Sequence, residues 1–301
     1  MQVTAALQEY LNMQNMRPST KGVYQNFITK HISPYFGTTE CSDLSVEKIE
    51  GFANSLTFRS LNPSKIRSVV SFMKKGLKGW YKPDIFSINL KAGETKGITV
   101  LSLHDQKRLE AHARLSDPVN KVSVFLCLYT GIRIGELCGL MWQDICFDTK
   151  IINVCRTVQR VKSEDEDPFA KTKVVLMDLS GRSRRSIPIA DFLADMLFEH
   201  KKMFYGKYVI SQNAYPIEPR IMQYRLKNLI EEAGLSSINF STLRHSFAIR
   251  ALENDFGINA LSEILGHASP VVTCSRYVNG FDKMDLKRLY MVKFAQSVAG
   301  A

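Results

Sequence analysis

The sequence predicts a mainly α-helical chain of the α+β class, with a small antiparallel β-sheet confined to its second half, arranged as two domains. Three observations carry this. Residues 1–90 recur in apolar side chains at helical spacing between polar punctuation marks. Residues 91–98 read KAGETKGI, polar and glycine-containing without apolar periodicity, as an interdomain linker does. Runs rich in β-branched residues cluster between about residue 150 and residue 190. At 301 residues, 45% of them hydrophobic, the chain can bury a sizeable core, and its length suits two domains as well as one.

The first half reads as VTAALQEYLNMQ, PSTKGVYQNFITKHISPYFG, SVEKIEGFANSL and NPSKIRSVVSFMKKGLKGWY, four helical stretches. A side-chain oxygen at a helix start satisfies one of the backbone N–H groups left unpaired there. Ser19 or Thr20 after Pro18, Ser45 ahead of Glu47 and Lys48, and Asn62 before Pro63 and Ser64 fit that role. In the last stretch Ile66, Val69, Val70, Met73 and Leu77 form an apolar stripe, surrounded by Lys65, Arg67, Lys74, Lys75, Lys78 and Lys82. With 11 basic against 6 acidic residues in this half, the charged side is either a solvated face or a surface for a polyanion.

Past the linker, VLSLHDQKRLEAHARL starts a capped helix and VNKVSVFLCLYTG is a buried one ending at Gly131. IGELCGLMWQDICF reads as helix then turn, and KIINVCRTVQRV as one strand. The acidic run Glu164, Asp165, Glu166, Asp167 lacks the alternating ligands and glycine of a calcium loop and reads as a solvated hairpin tip, so no metal is implied. KTKVVLMDL and RRSIPIA read as strands joined at Ser180-Gly181, and the remainder as mainly helix.

Lys and Arg outnumber Asp and Glu by 40 to 29, leaving a net charge of +11 that points towards a polyanionic partner. The 6 cysteines show no metal-like spacing, and several lie in apolar runs such as VFLCLYTG, so free core thiols and a reducing compartment are expected. No window approaches 18 uninterrupted apolar residues, and the N-terminus has no basic region followed by an apolar stretch. These features predict a cytoplasmic protein with no membrane role.

Three segments stand apart: YTGIRIGELCGLMWQDI with Arg133, FSTLRHSFAIRALENDFGINALSEILGHAS with Arg244 and His267, and TCSRYVNG with Tyr277. Singly, each has a structural explanation. An arginine after a glycine can pair with Glu136, a histidine can cap a helix, and a tyrosine can anchor a turn. In this order they resemble the boxes of the tyrosine recombinase family, the phage-integrase and Xer-like enzymes, in a style closest to integrases of bacterial mobile elements. Thr-Gly-x-Arg-x-x-Glu-Leu is matched by Thr130, Gly131, Arg133, Glu136 and Leu137. Leu-Arg-His-Ser-Phe-Ala is matched from Leu243 to Ala248, and Leu-Gly-His followed by Tyr by Leu265, Gly266, His267 and Tyr277. The resemblance covers nearly the whole chain. It assigns residues 1–90 to a helical, SAM-like core-binding domain and 99–301 to a catalytic domain, a two-domain DNA clamp with no room for a further arm-binding domain.

The resemblance implies site-specific cleavage and rejoining of DNA, with integration or recombination as the outcome. Two guanidinium forks, Arg133 and Arg244, would hold the non-bridging oxygens of a scissile phosphate while Tyr277 attacks phosphorus and forms a 3′-phosphotyrosyl link. A phenol of pKa about 10 needs such a cationic pocket. His267 would donate to or orient the phosphate, Glu136 would orient Arg133, and His245 would buttress the site from behind Arg244. No cofactor is implied, because the phosphotyrosyl link conserves the bond energy. Partners would be double-stranded DNA half-sites, further copies of the chain (a dimer per site, a tetramer in synapsis) and accessory DNA-bending proteins. The DNA face of the first half would use Lys65, Arg67, Lys74, Lys75 and Lys78, and DKMDLKRLYMVKFAQSVAGA would pack on a neighbouring copy.

Two positions depart from the family pattern. Ser241 stands where the second box has histidine, and a hydroxyl can donate one hydrogen bond but carries no charge. Counting back from Ile187-Pro188 through Arg185 puts Leu179 where a catalytic lysine belongs, with Lys171 and Lys173 upstream and Arg182 just downstream. These departures keep two alternatives in view: a catalytically impaired relative acting as a site-specific DNA-binding accessory protein, and a type IB topoisomerase.

Overall fold

The computed structural model describes the chain except residues 82, 89, 91–96, 163–171, 237 and 279–301. Two compact units emerge, one of Met1–Lys96 with Val161–Lys173, the other of Gly97–Arg160 with Val174–Ala301. Lys171, the acidic run at 164–167 and the tail from residue 279 onward lie outside the described residues, as does most of the expected linker.

The first unit is helical, with α1 (Val3–Met13), α2 (Pro18–Phe27), α3 (Ser33–Phe36), α4 (Val46–Phe58) and α5 (Pro63–Gly76). Ser45 accepts from the Lys48 N–H and Asn62 from the Ser64 N–H, the caps that start α4 and α5. At α2 the cap position is Arg17, without a side-chain cap bond, so Ser19 and Thr20 lie inside the helix and Pro18, whose fixed φ suits a first turn, opens it. Ile66, Val69, Val70, Met73 and Leu77 are all buried. At about 1.5–3 kcal/mol for each such side chain, this stripe seats α5 against α1 and α4. Lys65, Arg67, Lys74, Lys75 and Lys78 stand exposed around it.

The second unit holds α6 (Leu103–Leu115), α7 (Pro118–Thr130), α8 (Ile134–Gly139), α9 (Asp191–Met203), α10 (Pro219–Glu232), α11 (Phe240–Glu253), α12 (Ile258–Leu265) and α13 (Pro270–Thr273). Among the described residues no helix is long and apolar enough to cross a membrane. Strands β1 (Ile145–Cys146), β2 (Ile151–Val154) and β5 (Arg185–Pro188) form an antiparallel sheet in the order β1-β2-β5. Strands β3 (Arg156–Lys162) and β4 (Thr172–Asp178) form a separate pair. KIINVCRTVQRV is therefore two strands broken at Cys155, and β4 and β5 do not pair across Ser180-Gly181. The two halves of that segment serve different partners: Ile152 lies opposite Ile187, while the Cys155 carbonyl accepts from the Leu179 N–H at 2.8 Å. The mainly helical class with small antiparallel sheets holds.

Candidate active site

The site is assembled from the ends of helices. Asn239 starts α11: its side chain accepts from the Thr242 N–H at 3.0 Å, and the Thr242 hydroxyl accepts from the Asn239 N–H at 3.3 Å. This reciprocal cap sets the first turn, and five residues after the cap Arg244 turns inward, 5% exposed. Its fork donates to the Gly131 carbonyl, to the Leu265 carbonyl at 2.7 Å and to His267 Nε2 at 3.2 Å. Burial pushes the Arg244 guanidinium down to about 9, with nearby Arg133 acting in the same direction, so it stays cationic at neutral pH.

Both glycines of the sequence boxes are set by this packing. Gly131 and Gly266 end α7 and α12 in the left-handed region, each at φ 63°. A β-carbon at Gly131 would lie 2.6 Å from the Phe247 ring, and one at Gly266 would lie 3.0 Å from Arg185 Cδ and 3.1 Å from the Arg182 carbonyl oxygen. Backbone approach at these two points lets the ends of α7 and α12 pack closely against their neighbours.

Glu136, in the first turn of α8 and 3% exposed, holds two arginines with one carboxylate. Arg133 Nη1 donates to Oε1 at 2.8 Å and the Arg133 backbone N–H to Oε2 at 2.9 Å. Arg185, from β5, donates to Oε1 at 3.0 Å and to Oε2 at 2.8 Å. Burial alone would raise the Glu136 carboxyl, but hydrogen bonds and charge from Arg185, then the charge of Arg133, outweigh it and hold the pKa below the usual range. Two guanidinium groups thus share one carboxylate, and Arg244 adds a third positive charge near enough to feel it. Arg133 keeps 40% of its side chain exposed, so the surplus positive charge reaches solvent there.

His267 sits at the inner wall. Because arginine only donates, Nε2 must accept from Arg244, which leaves Nδ1 to carry the proton and donate to Thr273 Oγ1 at 2.7 Å. Burial lowers its pKa to about 4, with Arg244 adding to the effect, so the neutral ring persists at pH 7. In this arrangement His267 orients Arg244, and its donor is directed at Thr273.

Tyr277 lies in a π-helical turn, Cys274–Val278, and is fully buried. Its ring stacks on His267 with 13° between planes, and its hydroxyl shares a 3.0 Å hydrogen bond with His245 Nδ1. Burial raises the phenol pKa, while the charge of Arg244 pulls it back. The His245 ring thus meets the tyrosine itself; the sequence reading sets it behind Arg244. Burial, then the charge of Arg276, lowers His245 to about 4.

Of the other residues singled out from sequence, Ser241 is exposed in the first turn of α11, one turn ahead of Arg244. Leu179 is buried among apolar neighbours. Lys173 is exposed on β4. Arg185 is the cluster member that sequence reasoning used only to count register; its signal was a charged residue in the same alternating phase as Ile187 and Ile189 of RRSIPIA. Among the described residues no group of three or more His, Cys, Asp or Glu side chains could hold a metal ion.

Against known proteins, residues 100–284 match the model of the phage integrase family and residues 4–57 that of a phage integrase N-terminal SAM-like domain. A tyrosine recombinase XerC-like protein of Caldanaerobacter subterraneus subsp. tengcongensis is 28% identical over 180 residues, covering 54% of this chain and 46% of that protein. The transposase of transposon Tn916 from Enterococcus faecalis is 26% identical over 274 residues, covering 82% and 66%. The chain spans about half the length of the XerC-like relatives it matches. Among solved structures, the Tn1549 transposon integrase in complex with transposon right-end DNA superposes with a TM-score of 0.82 at 16% identity, covering 98% of this chain and 100% of that one. A lambda integrase dimer bound to a core site reaches 0.64 at 18% identity, covering 90% and 97%. With its two arginine boxes and the Leu-Gly-His box closing on one buried tyrosine, this chain belongs to the phage integrase family of tyrosine recombinases.

Proposed function

We propose that the chain is a site-specific DNA recombinase that cleaves and rejoins strands through a 3′-phosphotyrosyl link at Tyr277. One observation carries this reading: Arg133, Arg244, His267 and Tyr277, spread over half the sequence, converge where three guanidinium groups, two of them sharing Glu136, outnumber the single carboxylate among them. An anion completes such a site. A phosphodiester under attack gains negative charge on its non-bridging oxygens, which fixed guanidinium groups stabilise without losing protons. The Tyr277 oxygen forms a bond to phosphorus, the bond to the 5′-oxygen breaks, and that oxygen takes up a proton. Neutral His245 Nδ1 is the acceptor within reach of the phenol proton. Lys171 and Lys173 are the candidates for the donor to the leaving oxygen, and Ser241 for a hydrogen bond to the phosphate.

Residues 1–90 act in this reading as a DNA-binding domain through Lys65, Arg67, Lys74, Lys75 and Lys78, joined by 91–98 to a catalytic domain over 99–301. The DNA held by the Tn1549 and lambda integrases supports double-stranded DNA as the partner, and the lambda dimer supports assembly of several copies on one site. The test is incubation with a nicked suicide substrate followed by a denaturing gel. A covalent protein–DNA adduct is expected from the intact chain and none from Tyr277→Phe. No adduct from the intact chain would sink the catalytic reading and leave a DNA-binding protein.

A further inference from the structure

Three consecutive carbonyls at the end of α12 each receive a different arginine. Ile264 O accepts from Arg185 Nε, Leu265 O from Arg244 Nη2 at 2.7 Å, and Gly266 O from Arg133 Nη2 at 3.2 Å. These are carbonyls that a helix leaves unpaired at its C-terminus, where the helix dipole is negative and favours cations. Arg133 and Arg244 are the proposed phosphate ligands; Arg185 has no assigned role. Its side chain is 5% exposed and already forked across both oxygens of a carboxylate, which a phosphate would have to displace. All three of its nitrogens donate to the protein: Nε to Ile264, Nη1 to Glu136 and to the Ser183 carbonyl at 3.1 Å, Nη2 to Glu136.

We propose that Arg185 is a positioning residue for the phosphate-binding arginines, acting on Arg133 through Glu136 and, by holding the Ile264 carbonyl, on the end of α12 whose next carbonyl, Leu265, seats Arg244. The inference rests on the recombinase reading. Glu136 is the balance point. With Arg185 forked across both oxygens, Arg133 holds Oε1 by one amino group and keeps the other on Gly266, in a partly exposed pose. Without Arg185 a buried carboxylate loses its second cation, and the nearest replacement is the rest of the Arg133 fork. Arg133 would then pair with Glu136 by both amino groups and turn away from the position where an incoming phosphate gathers charge. A lysine at 185 would keep the charge but not the fork, since one ammonium cannot bridge both oxygens and the Ile264 carbonyl together. Gly266 supports the same arrangement, because a β-carbon there would strike the Arg185 stem at 3.0 Å.

The test compares the 301-residue chain with its Arg185→Gln and Arg185→Lys variants on two suicide substrates. One carries the normal scissile phosphate; the other carries an uncharged methylphosphonate at that position, which needs no neutralising arginine. Arg185→Gln is expected to slow adduct formation on the phosphate about 10²-fold or more and on the methylphosphonate at least ten times less severely, with half-site affinity within about 3-fold of the parent. Arg185→Lys is expected to show the same pattern at smaller size, and it carries the test if the glutamine variant fails to fold. Equal losses on both substrates would mean a structural role only and overturn the proposal, as would an undiminished rate on the phosphate. No adduct from the parent chain on either substrate would overturn the recombinase reading itself, and this inference with it.

Discussion

Phe72 in the first unit and Arg244 in the second are buried to similar degrees, at 2% and 5% exposure, among different company. Phe72 stacks on Tyr24 at 4.4 Å and meets Phe27 edge-on at 6.2 Å. Arg244 meets two carbonyls and an imidazole nitrogen. Apolar contact has little directional demand, so the first interior adapts to whatever volume it must fill. A buried guanidinium demands a partner for every donor, so each residue around Arg244 is held in one orientation by the others. The helical units share caps and lengths; what separates them is that the second gives interior space to charge, and a prepositioned cationic site results.

Replacing Arg244 strains this contrast most. Arg244→Met is expected to lower the rate of adduct formation about 10³-fold or more, because it removes a phosphate ligand and strands the Gly131 and Leu265 carbonyls together. Single-turnover cleavage of the suicide substrate measures it, and a rate near that of the parent would break the comparison. In the first unit, Phe72→Ala is expected to cost about 3–5 kcal/mol of stability in denaturant unfolding, with no strong pH dependence, since the lost contacts are apolar.

Acid separates the units further. His245 and His267 are held at about 4, so the unfolded chain takes up their protons near 6.5 while the folded chain does so only near 4. Stability from their neutral forms is fully present above about pH 6.5 and is lost as pH falls towards 4. At about 1.4 kcal/mol per unit, each could contribute at most a few kcal/mol. Melting temperature followed from pH 7 to 4 should fall, and His245→Gln or His267→Gln should flatten the curve. His31 in the first unit, its pKa also lowered by burial, adds the same sign there. The smallest effect concerns the exposed charges on α5. Lys74→Ala with Lys75→Ala should reduce the slope of log affinity against log salt by about 2 without changing the melting temperature by more than a few degrees. A slope equal to that of the parent would remove these lysines from the DNA face.

Helix positions were legible because their causes are local: the stripe from Ile66 to Leu77 and the caps at Ser45 and Asn62 follow from residues a few places apart. Strand pairing was not. Nothing near Cys155 in sequence says that β2 will pair with residues 185–188 while β3 pairs with β4. The same division runs through the site. Arg133, Arg244, His267 and Tyr277 could be named from their boxes, and Leu179 reads as apolar in sequence and is buried in the fold. Arg185 could not be named, because its importance lies in Glu136, 49 residues earlier, and Ile264, 79 residues later.

Sequence alone determined which side chains could do phosphate chemistry, since charge, hydrogen-bonding capacity and nucleophilicity belong to residue types. It also marked Gly131 as the end of a helix, because the left-handed backbone of a helix stop favours a residue without a β-carbon. Tertiary structure decided which arginines share Glu136, which carbonyls receive them and which histidine meets the Tyr277 hydroxyl. Each of those is a distance between segments far apart in the chain, and only the burial of the surrounding apolar residues brings such segments to hydrogen-bonding range.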